Sequence, residues 1–271
     1  MNAAALFGLL SALVYGAGDF VAGYASKTDS PVRVAALTHP VAALLFVALA
    51  LLEHEAFPSA PSLLWGALAG LVGLGALLAF YRGLALGPMG AVSVTAGSLS
   101  ALIPAVVGLL LGERLGPWGL IGAALVLLGI GALSAGPGEG RGGLGLAVIA
   151  GIGFGLFFVL LARSGPGTFW PLAAARTASS LVMVPVAALT VGLRPRRPAL
   201  VLAAMPGDAL GNLFYLLSAQ AGRLAVAGVL SSLYPAVTTL LAALLLNERL
   251  RPVQWLGALV ALSGAALVAT A

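Results

Sequence analysis

From Ala3 onward the chain is almost continuously apolar, and what interrupts it is a set of breakers. Gly, Pro and charged residues gather at Lys27 to Pro31, Glu53 to Pro61, Gly87-Pro88, Glu113 to Pro117, Gly136 to Gly143, Ser164 to Gly167, Arg194 to Pro198, Gly222-Arg223 and Glu248 to Pro252. Between them lie ten runs: 3–24, 33–52, 62–84, 89–111, 116–135, 143–163, 169–191, 199–219, 224–246 and 252–270. Each has about the 20 residues that carry a helix across a ~30 Å hydrocarbon core. Only 8% of residues are charged, against about 25% in soluble domains, and mean hydropathy is +1.11. That is too little polar material to face water. In lipid the backbone must satisfy its own hydrogen bonds, and runs of this kind do so as helices. The expected fold is all-α and integral to the membrane, with ten transmembrane helices. All four Trp (65, 118, 170, 255) fall near run starts, where interfacial aromatics sit. The first run lacks a basic leader and a cleavage site, so it reads as a transmembrane helix and not as a removed signal.

The ten runs are two sets of five. Leu109-Leu110-Leu111-Gly112-Glu113-Arg114-Leu115 returns 135 residues later as Leu244-Leu245-Leu246-Asn247-Glu248-Arg249-Leu250. The frame holds around it: Val94 aligns with Val229, Ala101 with Ala236, Pro117 with Pro252, Gly122 with Gly257 and Gly129 with Gly264. Gly8, Gly16, Gly18 and Phe20 likewise match Gly145, Gly153, Gly155 and Phe157. A kept frame of this length indicates duplication. The Gly-rich stretch 136–143 separates the halves, placed at 1–137 and 138–271. Five is odd, so the second half enters the membrane from the opposite side. An inverted repeat is implied, and such repeats place a binding site near the midplane between halves that rock.

Two five-helix halves, each with a Pro-containing fourth helix, Leu-x-Glu-Arg-Leu and a Gly-rich closing helix, resemble the EamA-type drug/metabolite transporter superfamily. The resemblance covers nearly the whole chain. It implies secondary transport, often export, of amino acids, other metabolites or drugs, and it leaves the substrate open. It also implies both termini in the cytoplasm. That orientation leaves Arg114, Arg163 and Arg223 on inner loops and nine Lys and Arg on outer ones, Arg82 among them. The positive-inside rule favours the reverse, so orientation stays open. The membrane expected is the cytoplasmic one.

Charges inside a membrane are costly and are functional hypotheses by default. Asp19, Arg82, Arg176 and Asp208 fall within runs. Asp19 can bind a proton or a substrate amine; the alternative is a permanent pair with Arg82 or Lys27, or a side chain reaching the interface. Asp208, Asn212 and Tyr215 fall at i, i+4, i+7 on one helical face. The aligned residues of the first half are Gly73, Leu77 and Phe80, so this polar stripe departs from the repeat and suggests a specialised lining. The alternative is an internal network that locks helix packing. Arg176 is suited to clamp a substrate carboxylate through two parallel hydrogen bonds, or else to bridge to Asp208. Arg82 reads as interfacial, and His39, beside Pro40, as a packing donor more than a proton relay. Ser93, Gly97, Ser100 and Pro104 align with Gly228, Ser232, Pro235 and Thr239 as close-packing faces. Tyr234 and Ser232, beside Pro235, are placed with the substrate. Glu113 and Glu248 read as interfacial caps that pair with the adjacent Arg. The centre is expected between helices 1, 3, 4, 6, 8 and 9, with Arg176 reaching in from helix 7.

Other classes fit less well. No basic cluster interleaves with aromatics, so nucleic acid is not an expected partner. There is no Cys, and His39 with His54 cannot cage a metal. No Walker-type Gly-x-x-x-x-Gly-Lys occurs, so ATP drive is not expected. No cofactor is expected. Gly16-Ala17-Gly18-Asp19 matches the Gly-x-Gly-Asp of intramembrane aspartyl proteases, and Pro198-Ala199-Leu200 their Pro-Ala-Leu. The family's first Tyr-Asp has no counterpart, however, and the duplication already explains the glycines. A lipid flippase of the same fold is the other rival. The reading is a carrier, not an enzyme, working by alternating access on a small polar or amphipathic metabolite such as an amino acid. Proton coupling through Asp19 or Asp208 is one option and facilitated diffusion the other. The carrier is expected as a monomer or homodimer in the lipid bilayer.

Overall fold

The computed structural model describes residues 3–26, 29–86, 89–133, 143–165, 167–245 and 251–270. Lys27, Gly87-Pro88, the linker residues 136–142 with Arg141, and Leu246 to Leu250 with the second Glu-Arg lie outside the described residues. Within them the chain forms helices and no strand. These are α1 (Ala3–Ser26), α2 (Pro31–Leu52), α3 (Ala60–Leu86), α4 (Met89–Leu110), α5 (Pro117–Leu133), α6 (Leu144–Ala162), α7 (Phe169–Thr190), α8 (Pro198–Ala221), α9 (Leu224–Ser231), α10 (Tyr234–Leu245) and α11 (Pro252–Thr270). Six of them (α1, α2, α3, α6, α7 and α8) are long and apolar enough to cross a membrane. The rest supply shorter apolar stretches, such as Pro117–Gly129 and Leu224–Thr238. Large apolar side chains point outward all round, among them Leu44, Leu110, Leu128, Leu181 and Leu259, as lipid-facing surfaces require.

One run differs from its sequence reading. The stretch 224–246, expected as one helix, is broken between Ser231 and Tyr234. Pro235 has no N–H to give, and its ring crowds the carbonyl four residues back, which is that of Ser231. The joint is closed by tighter turns: Leu233 N donates to Leu230 O at 3.3 Å and Ala236 N to Leu233 O at 2.9 Å. Ser232 turns its hydroxyl onto Val229 O at 2.7 Å. Pro104, in α4, leaves its helix continuous.

The helices pair across the middle of the sequence. α1 lies antiparallel to α8: Gly8 and Ala4 meet Ser218, Ser11 meets Gly211, and Gly18 meets Gly207. α3 lies antiparallel to α6, with Gly73 against Phe157 and Gly83 against Gly143. α2 pairs antiparallel with α7, α4 with α9 and α10, and α5 with α11. Small residues make these approaches possible. A Cβ on Gly207 would lie 2.2 Å from the Gly18 Cα, and one on Gly129 would lie 2.4 Å from Ala261 N.

Carboxylates from one half cap helices of the other. Glu113 accepts from Leu224 N at 2.8 Å and Ala225 N at 3.0 Å, at the start of α9. The left-handed Gly112 (φ 89°) reverses the chain after α4 and sends Glu113 there. Glu113 thus caps a helix of the other half. Its expected partner Arg114 is exposed, with no ion pair among the described residues. Glu55 caps α7 through Thr168 N at 2.9 Å and Phe169 N at 2.8 Å. Asp29 takes Arg196 N at 3.0 Å and Arg197 N at 3.3 Å at the start of α8, and Arg33 Nη1 at 2.6 Å. Arg33 also donates to Gly192 O at 2.9 Å and to Val191 O, joining α2 to the end of α7. Negative charge at a helix N-terminus meets unpaired N–H groups and the positive end of the dipole.

Two outcomes are expected. Gly207→Leu should destabilise the chain in detergent by more than the ~1–3 kcal/mol of ordinary overpacking, because backbone and not a side chain is in the way. Gly75→Leu, whose added Cβ meets nothing within 4 Å, should melt like the native chain. Equal melting of the two variants would remove the α1–α8 contact as a structural determinant. The second outcome concerns Asp29. Burial pushes its carboxyl up, but the hydrogen bonds from Arg33 and from the Arg197 and Arg196 amides outweigh burial. The folded-state value therefore lies below the ordinary 3.8. A lowered folded value contributes stability above the unfolded value and loses it as pH falls through the folded one. Asp29→Ala should cost about 1–2 kcal/mol at pH 7, as lost caps do, and the difference from native should shrink below pH ~4. A difference that stays constant down to pH ~2.5 would contradict this.

Candidate functional site

The α1–α8 contact fixes what faces what. With Gly18 against Gly207, the next turns present Tyr15 and Asp19 from α1 to Asp208 and Asn212 from α8, each pair one helical turn apart. The Tyr15 hydroxyl donates to Asn212 Oδ1 at 2.5 Å. Asn212 Nδ2 donates to the Asp208 carbonyl at 2.6 Å and to Asp208 Oδ1 at 3.2 Å. Gly211 leaves room for the Tyr15 ring: a Cβ there would lie 2.5 Å from it.

Arg176 enters from α7. Its Nη2 lies 2.7 Å from both Asp208 oxygens, and its Nη1 lies 3.3 Å from His39 Nε2. Arginine only donates, so Nε2 of His39 accepts and the ring proton sits on Nδ1. That proton goes to Ser179 Oγ at 2.9 Å, and Ser179 donates on to Arg176 O at 3.0 Å. The chain Tyr15–Asn212–Asp208–Arg176–His39–Ser179 therefore ties α1, α8, α7 and α2 together. Arg176 and His39 are buried, whereas the Asp208 side chain keeps 23% of its exposure. Its open side faces a cavity.

The cavity is narrow, with about 40 Å³ open to the centres of water-sized molecules. Asp19, Arg176, Asp208 and Asn212 supply its polar wall. Tyr15, Phe154, Phe157, Phe158 and Tyr234 supply an aromatic one. Tyr15 meets Phe158 at 6.1 Å and Tyr234 at 6.4 Å between ring centres. Gly73 and Leu77 complete the lining. They are the first-half residues aligned with Asp208 and Asn212, so the cavity sits where the two halves differ. Asp19 is half-buried and has no hydrogen-bond or ion-pair partner among the described residues.

Five of the residues singled out in the sequence meet here: Asp19, Arg176, Asp208, Asn212 and Tyr234. Two do not line the cavity. Tyr215 is fully buried behind it, its ring stacked on Phe158 at 4.1 Å, and its hydroxyl has no hydrogen-bond partner among the described residues. Ser232 is spent on the α9–α10 joint. The expected helix 4 contributes no lining residue among those described; its Gly97 and Pro104 pack against Pro235 and Gly228. Arg82 is exposed and pairs with neither aspartate. Tyr15, Phe154 and Phe158 went unnoticed in the sequence, and Phe157 stood out only as a repeat match. Tyr15 carried a usable signal, one turn before Asp19. The phenylalanines carried none, because an apolar helix looks alike on every face. Among the described residues, no group of three or more His, Asp or Glu is placed to hold a metal.

The sequence profile of the EamA-like transporter family matches residues 2–135 and, a second time, residues 141–270. A crystal structure of another protein superposes with a TM-score of 0.80 at 20% identity, covering 98% of this chain and 98% of its own. At that identity the likeness is one of fold. No curated protein matches the sequence significantly.

The two ends of the ion pair should not be equivalent. Asp208→Ala leaves the buried Arg176 charge with His39 alone. Arg176→Met leaves Asp208 part-exposed and still held by Asn212. Removing one partner of a buried pair costs about 3–5 kcal/mol, and Asp208→Ala should approach that. Arg176→Met should cost about half as much, as exposure screens the remaining charge. Thermal melts in one detergent test this, and the reverse order would contradict the burial asymmetry.

Proposed function

The chain belongs to the EamA-like transporter family, and we propose that it is a secondary transporter of small polar or amphipathic metabolites, with export of amino acids or related solutes as its direction and cargo class. The observation that carries this reading is the cavity where α1, α3, α6, α7, α8 and α10 converge, walled by aromatics on one side and by Asp19, Asp208 and Arg176 on the other. Pockets of this mixed character suit amphipathic small molecules.

Counting α9 and α10 as one interrupted span, we infer ten crossings, with the two halves at 1–137 and 138–271. Helices of equal rank in the two halves run antiparallel where they touch: α2 with α7, α4 with α9 and α10, and α5 with α11. That supports an inverted repeat and, with it, alternating access by rocking of the halves about the cavity. The break before Pro235 places irregular backbone beside the cavity, where membrane proteins tolerate it. We assign the chain to the cytoplasmic membrane, as monomer or homodimer.

Proton coupling is assigned to Asp19, the carboxylate of the cavity without a counter-charge. The groups around it are Tyr15 on α1, Tyr81 on α3, Asp208 with Arg176 from α8 and α7, and Tyr234 on α10. None of these is a cation free to pair with it. A protease reading has less support, because an aspartyl dyad shares a proton between two carboxylates. Both oxygens of Asp208 lie instead on Arg176.

Purified chain in liposomes, supplied with pooled labelled amino acids, amines and small metabolites under an imposed pH gradient, tests the reading. Selective, saturable flux is expected, with the gradient-driven part reduced at least tenfold in Asp19→Asn. Flux indifferent to both gradient and substitution would leave a facilitator. Absence of solute flux with labelled lipid crossing between leaflets would replace the carrier by a flippase.

A further inference from the structure

We propose that the cargo is an organic monocation, an amine or quaternary ammonium on an aromatic or apolar body, and that Asp19 receives its charge. The inference rests on the transport reading and, within its small amphipathic solutes, replaces amino acids by cations as the cargo.

The argument begins with the charges that line the cavity. Arg176 and Asp208 cancel each other, with Nη2 lying 2.7 Å from both carboxylate oxygens. The second terminal nitrogen of Arg176 is held by His39 at 3.3 Å, and the residue is only 5% exposed. A substrate carboxylate would have to displace Asp208 from this guanidinium while entering beside two carboxylates already present. No other basic side chain lines the cavity among the described residues. What remains is Asp19, half-buried and without a partner. With its carboxylates ionised the cavity carries one net negative charge. It therefore lacks one positive charge, and a cationic cargo supplies it.

The aromatic wall points the same way. Tyr15, Phe154, Phe157, Phe158 and Tyr234 line the cavity, and aromatic rings, whose faces carry negative potential, recognise alkylammonium ions. They also give an apolar body its contact area. An anion gains from neither wall. A zwitterion gains at one end and is repelled at the other. Cation and proton then compete for the one carboxylate, so that occupancy by either excludes the other.

The test is equilibrium binding to the full chain in detergent, with labelled phenyltrimethylammonium as probe, its charge being independent of pH. Phenylalanine and 3-phenylpropionate serve as zwitterionic and anionic competitors of like size. Saturable binding is expected, with the cation preferred over phenylalanine by at least tenfold and phenylpropionate not competing. Asp19→Asn should weaken probe binding at least tenfold, and Asp19→Glu should restore part of it. Asp208→Asn, which frees Arg176, should shift preference toward phenylalanine. Preference of the native chain for phenylalanine or phenylpropionate overturns the proposal, as does undiminished probe binding by a folded Asp19→Asn protein. If Asp19→Asn does not fold, the order of the three probes on the native chain decides alone. Liposome flux separates the two levels. Flux of phenylalanine without flux of the cation sinks the cation proposal and leaves a transporter. Cation binding with no flux of any solute keeps the site and removes the transport reading.

Discussion

No side chain fits between α1 and α8 where Gly18 meets Gly207. That contact is a direct backbone approach between the two halves on the cavity side, and the functional arrangement follows from it. Lipid offers no hydrophobic drive to bring helices together, so their association rests on close packing and on polar groups that find partners inside. The glycines supply the first and the turns beside them the second. With the helices at this distance, Tyr15 reaches Asn212, and Asn212 orients Asp208. A larger residue at either glycine would separate the pair before any polar contact formed.

The ion pair of Arg176 and Asp208 is best understood as an organiser. A buried pair is weak as a source of stability, because desolvation offsets most of its attraction. What it does here is join α7 to α8 and, through His39 and Ser179, to α2, while holding the guanidinium in one pose. Its electrostatic effect is to remove itself from the cavity's charge balance and leave Asp19 exposed to whatever enters. The capping carboxylates do similar work at the membrane faces. Glu55, Glu113 and Asp29 each satisfy helix N-termini in the opposite half, so the halves are tied at their ends as well as at their centre.

Duplication explains the scaffold and fails to explain the site. Gly73 and Leu77 keep the apolar character of the repeat, whereas their counterparts Asp208 and Asn212 do not, and the two pairs face the same cavity. A symmetric frame thus encloses an asymmetric interior. The polar stripe on α8 was legible because it broke the repeat, and Asp19 and Arg176 because charge in an apolar run is conspicuous. Ser232 and Tyr215 carried the same kind of signal. They were drawn off by local demands, the one closing a helix joint and the other filling the core behind Phe158.

The sequence by itself determined the solvent, the secondary structure and the halving of the chain. Runs of twenty apolar residues admit one backbone solution in lipid, and Pro and Gly mark where each ends, so helix limits fell within two residues of those read from the chain. The interruption at Pro235 was the exception, since a proline within a span bends some helices and breaks others according to what packs around it. Only the tertiary structure decided partners. Which half Glu113 would cap, whether Arg176 would meet Asp208 or stand free, and which of many phenylalanines would face the cavity all depend on how helices are rotated about their axes. In a helix apolar on every side, hydropathy has no direction, and rotation is set by the fit of glycines against neighbouring backbone.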